Sequence, residues 1–289
     1  MRQRQATRSG RVGSVDRYRG SRYPIGNSLT LRRLSVRSRA NHTRTGATYR
    51  PMQDEKVIEQ EPGNDWRDLQ VRVATILSEC GFETESPRTL TTVRGRVEVD
   101  VYAVDPSTVP RTLYVCECKR WKVNVPQGEV FAFRTALGDI GAHHGLFISS
   151  VGFQQGAHEV VRNTNVTLLS WAEFQNLVCE RWCREYWAPT FRREAAHLAN
   201  RAMPPVGDAA LVFEHGGRAL TAAEVVGLIA NDMWGPPFLA VPDFPASSES
   251  MAPAIWALRE EYREHLPAEA LATTHLRPFL DYLLAIARS

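Results

Sequence analysis

Two segments decide the fold of this chain: Gly95-Arg-Val-Glu-Val-Asp-Val-Tyr-Ala103 and Thr112-Leu-Tyr-Val-Cys-Glu-Cys-Lys119. In both, β-branched and other apolar residues alternate with polar ones, a pattern typical of β-strands that present two different faces. Pro106 and Pro110 interrupt the stretch between the segments and mark it as a loop. The sequence therefore predicts two strands that pair as a hairpin.

Side-chain alternation places three charged residues together at one edge of this hairpin. The valines of the first strand are expected to share one face: Val97, Val99 and Val101. Asp100 belongs to the opposite face of that strand, and Glu117 and Lys119 share one face of the second strand. We therefore expect Asp100, Glu117 and Lys119 to lie side by side.

Two carboxylates and a lysine suit a divalent cation that acts on a phosphodiester. Mg²⁺ takes one or two carboxylates and keeps its other positions for water and phosphate oxygens, and a nearby lysine stabilises developing negative charge. Lysine occurs in this chain only at Lys56, Lys119 and Lys122, and arginine fills the other basic positions. Lysine carries a compact charge whose pKa can be tuned, whereas arginine is planar and permanently charged. The lysine placed after Glu117 therefore fits a role that arginine would perform badly. The alternative is an ordinary hairpin with a solvated, salt-bridged face.

These residues and their surroundings resemble the restriction-endonuclease superfamily, whose signature is an aspartate, a variable spacer and then Glu-x-Lys. More narrowly, residues 64–182 are similar to its Mrr-like branch. The most specific parts of the match are Glu117-Cys-Lys119, the strand Gly145-Leu-Phe-Ile-Ser149 and the following Gly152-Phe-Gln-Gln-Gly-Ala157. The resemblance implies an α/β, restriction-endonuclease-like core, in which helices flank a mixed central sheet.

The resemblance also implies a role for each matching position. Asp100 and Glu117 match the two metal-binding carboxylates, and the main-chain carbonyl of Cys118 stands where a backbone oxygen often completes the coordination. Lys119 matches the catalytic lysine, and Gln127 falls where relatives place a glutamine at the start of the next helix.

One feature departs from the family pattern in the first helix. Many members have a glutamate there, whereas this chain offers Asp68 and Gln70. The further acidic ligand of the family therefore has no glutamate to match it here.

The function implied by the resemblance is Mg²⁺-dependent hydrolysis of DNA, with Mn²⁺ as a possible substitute, in restriction or defence against foreign DNA. The alternative from another class is a nucleic-acid-binding or assembly subunit that has the same fold but does not cut. A third hypothesis is cleavage of RNA by the same site.

Residues that flank the motif strands are candidates for contact with nucleic acid. Arg96 and Arg120 could reach phosphates, and Trp121 could stack on a base or ribose. Solvation of the arginines and packing of the tryptophan against the sheet are the alternative interpretations.

Composition bounds the class of protein. The 289 residues are 43% hydrophobic and 23% charged, which is ordinary for a globular protein. No apolar run reaches the ~18 residues of a membrane span, and no apolar stretch follows the basic N-terminus as in a secretory signal. The five cysteines have no framework spacing, so we expect reduced, buried thiols and a cytoplasmic protein. Zinc binding is the alternative for these cysteines: Cys80, Cys116, Cys118, Cys179 and Cys183.

The chain is expected to have three parts. Residues 1–62 are predicted to be a disordered basic segment, since residues 1–50 contain thirteen arginines and one acid, Asp16. This arm would bind phosphates, unless translation starts at Met52 and the preceding residues are an over-extended gene model.

Residues 63–200 form the predicted nuclease domain, and residues 201–289 a helical C-terminal module after a Pro-Pro linker. The predicted helices of this half of the chain are 184–201, a helix that starts after Thr221, 252–265 and 276–287. The module could pack on the catalytic domain, form a homodimer or recruit a partner subunit.

Overall fold

The computed structural model of the protein describes residues 57–63, 65–202, 220–234 and 250–289. The strands of the described part are β1 (Glu83–Glu85), β2 (Arg88–Thr92), β3 (Gly95–Val99), β4 (Val101–Asp105), β5 (Thr112–Lys119), β6 (His144–Ser149) and β7 (Val166–Ser170). The α-helices are α1 (Trp66–Glu79), α2 (Gln127–Ile140), α3 (Gln155–Val160), α4 (Trp171–Trp182), α5 (Ala188–Ala202), α6 (Ala222–Trp234), α7 (Met251–Glu261), α8 (Ala268–Leu271) and α9 (Leu276–Ala287).

Five of these strands form a mixed sheet in the order β1-β4-β5-β6-β7. Strand β4 pairs antiparallel with β1 and with β5, whereas β5, β6 and β7 run parallel, with α2 and α3 as the connections between them. The predicted hairpin is confirmed, because Val101 pairs with Cys116 across the β4–β5 ladder. The carboxyl ends of the parallel strands and the start of β4 therefore meet at one edge of the sheet.

Helices cover both faces of this sheet. Cys116 and Cys118 of β5 point into a core shared with α1 and α4, whereas Val115 and Phe147 pack against α2 and α3. This arrangement confirms the predicted α/β fold, a mixed sheet flanked by helices with a helical C-terminal region.

The first quoted segment is two strands, and not the single strand that the alternation predicts. β2 and β3 form a separate two-stranded antiparallel sheet, and β4 joins the main sheet after Asp100. As a result, Val99 lies in the core beside α2, and Val101 lies in the core on the other side of the sheet. The prediction that Val97, Val99 and Val101 share one face is wrong, because the chain changes sheets at Asp100.

The C-terminal helices pack into the same apolar core as α1 and α4. That core includes Val226 of α6, Ile255 of α7 and Leu280 of α9. A π-helical turn, Cys183–Trp187, joins α4 directly to α5, so the backbone stays helical from Trp171 to Ala202. The boundary between residues 200 and 201 stays a prediction, since residues 203–219 lie outside the described part.

The segment before α1 is also part of this core. Ile58 is fully buried, and the carbonyls of Val57 and Ile58 accept hydrogen bonds from the N–H groups of Leu276 and Arg277. The predicted disorder of residues 1–62 therefore does not extend to residues 57–62. Residues 1–56 lie outside the described part, so the basic arm and the Met52 start stay predictions.

The five cysteines are buried free thiols, as expected. Among the described residues, no helix combines the length and apolar character needed to cross a membrane.

Candidate active site

Asp100 lies between β3 and β4, at the edge where the parallel strands end. Its Oδ2 accepts a hydrogen bond of 2.7 Å from the main-chain N–H of Cys118. Its main-chain carbonyl accepts hydrogen bonds of 2.8 Å from the Gln70 amide of α1 and from the Ser86 hydroxyl. The position of this carboxylate is thus fixed from α1, from β5 and from the loop before β2.

Glu117 and Lys119 lie at the C-terminal end of β5 and share one face of the strand, as the alternation predicts. The Nζ atom of Lys119 lies 2.5 Å from Oε1 of Glu117, and both side chains are about one-fifth exposed, at 22% and 21%. Asp100 accepts from the residue between them, Cys118, so the three charged side chains converge at this edge of the sheet. The thiol of Cys118 points into the opposite core.

The pKa values of this cluster reflect burial and mutual charge. Burial raises the pKa of Asp100, although the Cys118 N–H and the Lys119 charge act against it. Burial and the charge of Asp100 also raise the pKa of Glu117, against the opposing effect of Lys119. Burial lowers the pKa of Lys119, but the hydrogen bond to Glu117 and the charges of Glu117, Asp100 and Glu129 outweigh it and raise that pKa. Lys119 is therefore a fixed positive charge beside two carboxylates that ionise with difficulty.

Glu129 is a member of this electrostatic group that the sequence did not single out. It lies in the first turn of α2, and its charge raises the pKa of both Glu117 and Lys119. The available signal was its place two residues after Gln127, in the helix that follows the Glu-x-Lys strand. Sequence alone could not show that this turn faces the site.

The other predicted catalytic residue, Gln127, begins α2 and is exposed. Its side chain lies against Gly156 of α3, where an added Cβ would come within 2.5 Å of its Oε1. No hydrogen bond in the described structure joins it to Asp100, Glu117 or Lys119, and its role stays a prediction.

The first helix does not supply another carboxylate. Asp68 accepts hydrogen bonds from the Gly63 N–H and from Arg72, and the resulting ion pair lowers its pKa. Gln70 is buried and holds the main chain of Asp100 instead. The first helix therefore departs from the family pattern in the structure as it does in the sequence.

The predicted nucleic-acid contacts differ in their surroundings. Arg96 is exposed on β3, and Arg120 is half-buried close enough to Asp68 for its charge to lower the pKa of that carboxyl. Trp121 is 37% exposed, and the Lys119 ammonium lies over its ring at 5.6 Å from the centroid. These three residues stay predicted contacts.

The donor set at this edge fits a small divalent cation. Within the described part of the chain, no group of three or more His, Cys, Asp or Glu residues is placed to hold a metal. Mg²⁺ needs no such cage, because it commonly takes one or two carboxylates and leaves its other positions to water and substrate. Asp100 Oδ1 and Glu117 Oε2 have no hydrogen-bond partner in the described structure, and they are the oxygens that remain for a cation.

A mixed sheet with an Asp and a Glu-x-Lys pair at the ends of its strands defines a restriction-endonuclease-like domain. Residues 63–178 match the family model Mrr_cat, described as a restriction endonuclease. This segment is therefore similar to the catalytic domains of that family.

Two solved structures are similar to the chain at low identity. One is the crystal structure of a protein of unknown function, AF1548, with 15% identity, a TM-score of 0.35 and coverage of 78% of this chain and 97% of that one. The other is the MspJI restriction endonuclease in complex with a 27-mer oligonucleotide, with 17% identity, a TM-score of 0.28 and coverage of 42% of this chain and 28% of that one. No curated protein matches the chain.

Proposed function

We propose that the protein is a Mg²⁺-dependent endonuclease that hydrolyses DNA phosphodiester bonds, with Mn²⁺ as a substitute cation. The observation that carries this proposal is the convergence of Asp100, Glu117 and Lys119 at one edge of the sheet. The similarity of residues 63–178 to a restriction endonuclease family supports it. A role in restriction or defence against foreign DNA is part of the proposal.

The acidic and basic residues of the site would have different roles. Asp100 and Glu117 would hold the cation through the carboxylate oxygens that Cys118 and Lys119 do not engage. A bound divalent cation supplies polarisation of the phosphoryl oxygen and a lowered pKa for coordinated water. Lys119, held as an ammonium, would stabilise the negative charge that grows on the phosphate. The backbone carbonyl of Cys118 and the side chain of Gln127 are proposed to assist.

Cleavage of supercoiled plasmid tests this proposal directly. With Mg²⁺ or Mn²⁺, the full chain should nick or linearise DNA, and Asp100→Asn, Glu117→Gln and Lys119→Ala should each lose about 10²-fold or more in rate, as when one charge-stabilising group is removed from other active sites. Glu264→Gln is the matched control, because Glu264 is an exposed acid of the C-terminal region. Folded variants that cut as fast as the parent would contradict the proposal.

A non-cleaving nucleic-acid-binding subunit is the second candidate. The observation that favours it is the ion pair of Asp68 with Arg72, which leaves α1 without a carboxylate for the cation. Calorimetry with Mg²⁺ or Mn²⁺ distinguishes the two functions. Heat of binding that disappears in Glu117→Gln supports the nuclease, and the absence of metal binding supports the subunit.

A further inference from the structure

Two loops meet beside Lys119 and expose apolar side chains at the candidate active site. At one end, Lys119 pairs with Ser149 across β5 and β6, and the Lys119 carbonyl accepts a 3.1 Å hydrogen bond from the N–H of Ser150. At the other end, Val125 and Phe153 form an isolated parallel bridge. Two segments, Lys119–Val125 and Ser149–Phe153, therefore run side by side and are paired at both ends; we call them the two passes.

The two passes differ in length, so one of them must bulge. There are six steps from Lys119 to Val125 but four from Ser149 to Phe153. The extra residues of the first pass turn its side chains outward. Trp121 is 37% exposed and Val123 is 66% exposed, and Val151 of the facing pass is 41% exposed. We name Trp121, Val123 and Val151 the apolar rim.

Basic residues flank the aromatic residue along the longer pass. Its sequence is Lys119-Arg120-Trp121-Lys122-Val123, so a basic residue precedes and follows the indole along the chain. The Lys119 ammonium lies over the Trp121 ring, which places the indole next to the group that would stabilise the reacting phosphate. Apolar faces interleaved with cations are the arrangement that binds an unpaired strand, because bases stack on the former and phosphates pair with the latter.

We infer that the apolar rim is a stacking surface for an unpaired base of the DNA strand that is cut, next to the scissile phosphate. This inference rests on the proposed function and narrows its substrate to DNA with unpaired bases, as in a single strand, a gap or a melted segment. A fully paired duplex keeps its bases stacked on one another and offers none to Trp121. Lys122 and Arg120 would contact the flanking phosphates.

Binding without cleavage tests the inference. The full chain is titrated in EDTA with a labelled DNA single strand of about 12 nucleotides, within the range of single-strand sites, and with the same sequence as a blunt duplex. We expect tighter binding of the single strand. Trp121→Ala should weaken single-strand binding by roughly 5- to 100-fold, the range expected for loss of one stacked base, and should change duplex binding less than about twofold.

Two matched variants separate stacking from other effects. Trp121→Phe keeps an aromatic face and should retain most of the single-strand affinity. Leu177→Ala removes an exposed apolar side chain of α4 and should leave both affinities unchanged. A 2-aminopurine in the single strand should be quenched by the parent but not by Trp121→Ala.

The outcomes decide between the alternatives. Equal losses for single strand and duplex in Trp121→Ala would overturn the inference, since Trp121 would then act only by orienting Lys119. Tighter binding of the matching RNA strand, with the same dependence on Trp121, would overturn the assignment to DNA. EDTA removes divalent cations, so the binding test does not depend on cleavage. Failure to cut plasmid with Mg²⁺ would contradict the proposed function without deciding the result of the binding test.

Discussion

Asp100 marks the point where the chain leaves one sheet and enters another, and this explains why its carboxylate is both partly buried and fixed. The change of sheet frees its main-chain carbonyl from the β-ladder, and Gln70 and Ser86 bind it instead. Its side chain then reaches the N–H of Cys118 on the neighbouring strand. A carboxylate held in this way is pre-positioned for a cation at the cost of poor solvation.

That cost leads to a prediction about stability without metal. Burial raises the pKa of Asp100, so its ionised form destabilises the fold above that raised pKa, and the penalty fades as the pH falls through it. Asp100→Asn removes the charge, and its amide oxygen can still accept from Cys118. We therefore expect the variant to unfold at a higher temperature than the parent in EDTA at pH 7.5.

The difference between the two unfolding temperatures should shrink as the pH is lowered toward the ordinary range of a carboxyl. Thermal unfolding followed by circular dichroism from pH 7.5 to pH 4 measures it. A variant that is less stable than the parent at pH 7.5 would show that the Asp100 charge stabilises the metal-free fold. Excess Mg²⁺ should stabilise the parent and leave Asp100→Asn unchanged.

At the scale of elements, α2 is held close to β6 at a single glycine. A Cβ added at Gly145 would lie 2.2 Å from Cδ1 of Leu137 and 2.9 Å from Cε1 of Phe133. Both neighbours are buried core residues of α2, so neither can move freely. The short distance between β6 and α2 fixes the position of α2. The first turn of this helix carries Gln127 and Glu129 beside the sheet edge.

We predict opposite effects for two glycine-to-alanine changes at this layer. Gly145→Ala should destabilise the protein by about 1–3 kcal/mol, because it overpacks the contact between β6 and α2. Gly138→Ala, in α2 itself, meets nothing within 4 Å, and should stabilise by up to about 1 kcal/mol through helix propensity. Urea denaturation of both variants measures the two free energies of unfolding. Equal changes in the free energy of unfolding would show that α2 can move away from β6 to make room for the added methyl group.

Element boundaries show what local sequence could and could not predict. Strand β5 and helix α9 have the predicted bounds, because each has a clear period that ends at a change of composition. The alternation does not predict the break at Asp100, because polar and apolar residues alternate straight through it. Only the pairing partners on either side reveal the change of sheet.

The candidate site follows the same division. Glu117 and Lys119 share one face of β5 because strand alternation is a local rule. Asp100 converges with them because the predicted hairpin pairing places the start of β4 beside Cys118, although the alternation itself breaks at Asp100. The contribution of Glu129 and the support from Gln70 depend on how helices pack on the sheet, and no local pattern encodes it.

For the whole molecule, the C-terminal helices are joined to the restriction-endonuclease-like part of the chain through polar as well as apolar contacts. Arg277 of α9 donates to Glu59, at 2.7 Å, and to Glu79 of α1, at 2.5 and 2.8 Å. The indole N–H of Trp187 donates to the carbonyl of Leu276, at 3.3 Å. These contacts join residues between 89 and 218 positions apart, which periodicity cannot anticipate.

We predict that a chain ending at Ala202 will not unfold as a cooperative unit. Four large apolar residues of α9 are buried in the shared core: Phe279, Leu280, Leu283 and Leu284. Their burial alone is worth roughly 6–12 kcal/mol, comparable to the ~5–15 kcal/mol that stabilises a typical domain. Calorimetric unfolding of the truncated chain measures the effect, and a chain starting at Met52 is the control expected to keep its transition. A sharp transition in the truncated chain would establish residues 201–289 as a separate module.

The π-helical turn at Cys183–Trp187 marks a place where the length of this protein can change by one residue. A π-turn closes its hydrogen bonds five residues apart instead of four, so it holds one extra residue within a helix. Removing one residue from this turn would restore α-helical hydrogen bonds and keep Phe191, Ala195 and Leu198 of α5 on the core they now occupy. Removing one residue from α4 or α5 would instead rotate the residues beyond it by about 100° and carry them away from that core. We expect related chains to differ by one residue at this turn more readily than within the two helices that it joins.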